Sequence, residues 1–172
     1  HIKNTRTPFS IDFGVGDVIV PKQEKRKIPT QLDDFASPTV NTYSLETTIA
    51  EKLDAILDLM EFSSRMKDYY DIYYLANKFD FDGATLTKSL KKTFENRGHA
   101  FTIEQFEQVM AFAENEAMQK KWKAFCRKID TKTADFNTVL KTIKEFLVEP
   151  FMAAVENKEF EEKWTTLESK WH

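Results

Sequence analysis

From Ser44 onward the apolar residues of this chain recur at helical spacing. Ile49, Leu53, Ile56, Leu57 and Met60 form one stripe behind Ser44, a good N-cap, with Glu46 in the first turn. A second helix is predicted from about Ser64 to Phe79. Within it, "RMKDYYDIYYL" sets Asp68 within about 40° of Ile72, Leu75 and Phe79 on the helical wheel. Asp68 therefore prolongs an apolar stripe. "FDFDG" interrupts, Asp82 caps a third helix over about 83–96, and Gly98 takes its C-terminal end. Thr102 and Gln105 match a capping box for a fourth helix, 103–127. Asp135 or Thr133 opens a fifth, which Pro150 kinks or replaces with a new helix. The last helix runs nearly to the C-terminus.

Residues 1–43 follow a different rule. "FSIDFGVGDVIVP" alternates Phe9, Ile11, Phe13 and Val15 with Ser10, Asp12, Gly14 and Gly16, the period of a half-buried strand. "DVIVP" reads as a second short strand ended by Pro21, "KQEKRK" as a charged connection, "PTQLDDFASP" as loop, and "TVNTY" as a third strand. The fold class is α+β and predominantly helical: a few N-terminal strands, residues 1–43, then a helical domain of about six helices, 44–172. Three strands make a poor sheet alone, so they are expected to complete one whose other strands lie upstream.

Composition narrows the class. Four glycines and five prolines in 172 residues suit long helices better than a turn-rich β fold, and fifteen phenylalanines supply a core. A net charge of −3 gives no general attraction to nucleic acid. One cysteine, Cys126, excludes an internal disulfide framework and points to a reducing cytoplasm. No apolar run approaches the roughly 18 residues of a membrane span, and no signal peptide is visible. The opening "HIKNTRTPF" lacks an initiator methionine, a hint that residues precede it.

Four residues break their own patterns. Asp12 faces away from Phe9, Ile11 and Phe13; it is either a solvated aspartate or a hard oxygen ligand for Mg2+ at a strand edge. Lys52 lies about 80° off the centre of its stripe. It either snorkels over apolar surface or reaches into a cleft as a point charge for phosphate. Asp68 and Asp71 share a face with Arg65. An Arg65–Asp68 ion pair explains little of a buried carboxylate, which needs a cation or a wet cleft. Lys52 is the natural partner, and the pair could simply tie two helices together. Tyr69, Tyr70, Tyr73 and Tyr74 read as packing groups. His99 and His172 have no metal-ligand spacing, and Cys126 fits a small apolar role. "QKKWK" with "CRK", Lys120 to Lys128, is a basic helix face, usually solvated and at times a nucleic-acid contact. Walker, GxGxxG and GxSxG motifs are absent.

Tyr43 to Leu75, "YSLETTIAEKLDAILDLMEFSSRMKDYYDIYYL", resembles the signature of the AbiEii/AbiGii toxin family of nucleotidyltransferases: an "AEKL.A" helix, then "R.KD.YD.Y.L" on the next. "FSIDFGVGDVIVP" is similar to that family's preceding strand segment, and "FLVEPF" to its C-terminal helical part. The resemblance implies a polymerase-β-like nucleotidyltransferase sheet and Mg2+-dependent transfer from a nucleoside triphosphate to a tRNA end or a protein hydroxyl. The setting would be a bacterial toxin–antitoxin or phage-defence system with an antitoxin partner. Carried over, Lys52 would contact the phosphates, Asp68 or Asp71 would be the later acid, Arg65 would orient the acids, and Asp12 would be the strand carboxylate for metal. The family's Gly-Ser turn and acidic pair do not precede Asp12, so the resemblance implies a C-terminal portion or a truncated relative. The competing reading is a non-catalytic helical module, or a degenerate relative, that binds an antitoxin-like partner.

Overall fold

The computed structural model describes residues 18–129 and 134–172, together with Pro8, Ser10, Ile11 and Gly16. Among these the fold is α+β and mostly helical. Six α-helices run Leu45–Leu59 (α1), Met66–Lys78 (α2), Gly83–Arg97 (α3), Ile103–Met110 (α4), Glu116–Lys128 (α5) and Phe136–Glu156 (α6). The strands are short: Glu24–Lys27 (β1), Thr39–Thr42 (β2), Phe81–Asp82 (β3), Lys163–Thr165 (β4) and Lys170–Trp171 (β5). β1 and β2 pair as an antiparallel ribbon, Glu24 opposite Thr42 and Lys27 opposite Thr39. β3, β4 and β5 form a separate antiparallel sheet in that order.

The expected caps hold. Ser44 Oγ accepts the Thr47 N–H, Asp82 that of Thr85, and Asp135 that of Thr138. Thr102 and Gln105 close a reciprocal capping box, and Gly98 ends α3 in the left-handed region at φ 69°. α1 packs on α3 and α2, while α6 lies against α2 and α3. Leu53, Ile56, Ile72, Leu90, Phe106, Leu147 and Phe151 are among the buried residues of this single core.

Several expectations fail for local reasons. Val18–Val20 is not a strand: the Val20 N–H donates to Thr47 Oγ1 at 2.9 Å, and its carbonyl accepts hydroxyls from Ser44, Thr47 and Ser89. Side chains have taken the groups a ladder would need. "KQEKRK" is no mere connection, because its last four residues are β1. The helix predicted over 103–127 is broken by a 3-10 turn, Ala111–Glu114, and Asn115 caps a new helix with its side-chain oxygen on the Met118 N–H. Pro150 sits inside a continuous α6. A proline there leaves the carbonyl four residues earlier without its helical donor. That carbonyl, of Phe146, accepts Trp171 Nε1–H at 3.1 Å.

The C-terminal helix also stops early. Asn157 adopts φ 56° and ends α6, and the chain returns as β4 and β5. Trp164 is buried opposite Phe81 and donates to the Ala76 carbonyl at 2.8 Å, filling an orphan acceptor near the C-terminus of α2. Gly83 makes this return possible: a Cβ there would stand 2.6 Å from the Glu162 carbonyl oxygen and from the Phe160 ring.

Candidate functional site

α1 and α2 meet through one ammonium. Lys52, at the flank of the α1 stripe, places Nζ 3.0 Å from Asp68 Oδ1 and 2.7 Å from Asp71 Oδ2. Arg65 Nε stands 3.2 Å from the other Asp68 oxygen, and Lys67 pairs with Asp71 at 2.6 Å. The inward aspartate thus meets a cation. Asp68 is buried, and its Oδ2 has no hydrogen-bond donor, only the nearby Arg65 charge. Burial works against the Lys52 charge, but hydrogen bonds to Asp71 and Asp68 and the attraction of both carboxylates outweigh it, so Lys52 titrates above the usual lysine range.

These groups border a hollow of about 250 Å3 whose walls include Tyr43, Thr48, Lys52, Arg65, Asp68 and Arg97. Tyr43 directly follows β2, so the hollow lies at the foot of the ribbon. Three cations therefore share one recess.

Arg97 is the member the sequence reading missed. It stands in the last turn of α3, where a cation also suits the helix dipole. Its guanidinium bonds Glu51 and reaches Asp54 Oδ2 at 3.0 Å. The Asp54 side chain is 0% exposed, and its other oxygen lies 2.8 Å from His99 Nδ1. Burial pushes the Asp54 carboxyl up, the His99 contact opposes the rise, and the charge of Asp58 adds to it. The signal for Arg97 was present: it falls about 20° from both Leu86 and Leu90 on the α3 wheel. Asp54, flanked by Leu53 and within about 60° of Leu57, carried the same signal.

The donor set does not suit a divalent cation. Asp68 and Asp71 are engaged by Lys52, Arg65 and Lys67, and no cluster of three or more His, Cys, Asp or Glu among the described residues could hold a metal. Asp12, the expected strand ligand, lies outside the described residues.

Several of the other sequence candidates pack within the helical body. Tyr69 is buried edge-on to Phe136, and Tyr70 stacks on Tyr74. In the basic helix α5, Trp122 is core, and Lys121 donates to the carbonyls of Glu61 and Ser63 between α1 and α2. Burial pushes the Cys126 thiol up, away from nucleophilic use. A larger hollow, about 610 Å3, lies elsewhere, between α5 and the start of α6, with Trp122, Cys126, Ala134 and Phe136 in its wall. No helix among the described residues is long and apolar enough to cross a membrane.

Compared with known families, residues 2–165 match the model of one described as nucleotidyl transferase AbiEii toxin, Type IV TA system. No curated protein and no solved structure matches the chain.

Proposed function

The chain belongs to the AbiEii nucleotidyl transferase toxin family of Type IV toxin–antitoxin systems, and from that premise we propose that the recess at α1, α2 and α3 receives the triphosphate of a nucleoside triphosphate. The observation that carries this reading is the convergence of Lys52, Arg65 and Arg97 on one hollow, with the buried carboxylates of Asp68 and Asp54 engaging all three. An ammonium has three N–H donors. Asp68 and Asp71 take two from Lys52 and leave one for a ligand. A guanidinium has five, and Glu51 and Asp54 engage only part of Arg97. The acids act as orienters, so the cations are fixed before substrate arrives.

The reaction is nucleotidyl transfer. An acceptor hydroxyl on a tRNA end or a protein attacks the α-phosphorus. The new P–O bond forms as the α–β phosphoanhydride breaks, the hydroxyl proton is given up, and pyrophosphate leaves with the charge that Lys52 and its neighbours offset. A divalent ion supplies charge neutralisation in such chemistry generally; the described residues do not build its site, and no step here uses one. Val20 and Gly16 support the arrangement. Gly16 O accepts from Asn96, beside Arg97, and Val20 O from Ser89, so the chain reaches the Arg97 end of α3 as it is followed upstream.

Calorimetric titration with inorganic tripolyphosphate and with ATP, GTP, CTP and UTP tests this. Saturable binding that falls at least about tenfold in Lys52→Ala is expected. Absence of any binding moves the function to the second reading, a non-catalytic helical module that engages an antitoxin-like partner. That reading has its own support: every carboxylate near Lys52 already has a cation, as a weld between helices requires.

A further inference from the structure

We propose that Asp54 and His99 are a positioning pair that aims the Arg97 guanidinium into the phosphate recess; this rests on the reading of that recess given above. Asp54 follows Lys52 by two residues on α1, so the two side chains leave the helix on different sides. Lys52 borders the recess directly, whereas Asp54 is fully enclosed behind it. A carboxylate so deeply buried is costly unless ionic partners and hydrogen bonds satisfy both oxygens. Here they do: Oδ2 takes Arg97 at 3.0 Å and Oδ1 takes His99 Nδ1 at 2.8 Å.

The imidazole is itself held. Gly98 turns the chain through the left-handed region, and His99 then packs on Phe101 with ring centres 5.1 Å apart. Phe101 in turn meets Phe94 edge-on at 5.1 Å. His99 Nε2 faces Asp58 at 3.7 Å, at the solvent edge. The unit thus runs from aromatic core through His99 and Asp54 to Arg97, whose other amino group bonds Glu51 on the wall of the recess. Two contacts to different carboxylates fix the plane of a guanidinium, and that plane sets which phosphate oxygens it can meet as a pair. A lone surface arginine would lack that definition.

The test is a double-mutant cycle read by calorimetric binding of inorganic tripolyphosphate to the full chain. Arg97→Ala is expected to weaken binding about tenfold or more. Asp54→Asn keeps the shape, loses the charge, and is expected to weaken binding by a similar factor in the native background and by nothing further in the Arg97→Ala background. His99→Gln gives a smaller, several-fold loss with the same coupling, and it replaces Asp54→Asn in the cycle if that variant does not fold. A merely structural Asp54 or His99 would show its loss equally in both backgrounds, and that result overturns the pairing. So does native affinity in both variants while Arg97→Ala is weakened, an outcome that leaves the recess reading intact. A native chain that fails to bind tripolyphosphate overturns the recess and the pairing together.

Discussion

Lys52 is the residue on which two helices and one recess depend. Removing it leaves Asp68 with Arg65 alone and Asp71 with Lys67 alone, and breaking a buried ion pair from one side costs up to roughly 3 kcal/mol. Lys52→Met is expected to lose about that much in urea unfolding at neutral pH. Its second consequence appears in alkali. The folded state keeps the Lys52 proton to higher pH than the unfolded chain, whose lysine titrates near 10.5. The stabilisation is therefore complete below that pH and is lost as pH rises through the folded value. Tyr69 acts with the same sign: burial first, then the Asp68 charge, holds its phenol neutral well above its ordinary 10.0. The native chain should lose stability above about pH 10, less steeply in Lys52→Met, with the remaining slope further reduced by Tyr69→Phe. Urea midpoints measured from pH 8 to pH 12 check this; parallel curves for native and Lys52→Met proteins would contradict it. The Lys52–Asp68 contact was legible because Asp68 defied its own helix pattern. Arg97 defied its pattern as clearly, yet a cation in a final helical turn has a sufficient local explanation, which hid the longer-range one.

At the scale of elements, Pro150 and Trp171 explain each other. The proline removes a donor from α6, and the indole of β5 replaces it at the Phe146 carbonyl. Trp171→Phe should cost about 1–3 kcal/mol by leaving that carbonyl bare. Pro150→Ala restores a backbone N–H, so the same tryptophan change should cost distinctly less in that background. Chemical denaturation of the four proteins measures the coupling, and equal losses in both backgrounds would refute the replacement. Helix starts were legible because Ser44, Asp82, Thr102, Asn115 and Asp135 satisfy backbone groups within three residues, and only Asn115 was overlooked, in an alanine- and glutamate-rich run without glycine or proline. The strands β3, β4 and β5 were not legible. Their pairing joins Phe81 to Trp164 across nearly half of the chain, and two- and three-residue strands leave no period to count.

In the whole molecule, the β1–β2 ribbon stands apart from the helical body. Its residues are exposed save the half-buried Thr42, and Leu32 and Phe35 in its loop are solvent-facing. Trypsin at low ratio should cut among Lys22, Lys25, Arg26 and Lys27 before it cuts α1 to α6. Peptide mass mapping decides this, and a first cut inside α1 would show that the body opens more readily than the ribbon. Between ribbon and upstream chain sits Val20, gripped through both its backbone groups. That grip sets a phase. One residue inserted between Gly16 and Val20 would move the Gly16 carbonyl by up to about 3.5 Å past a stationary Asn96, enough to break the bond that ties this stretch to the last turn of α3.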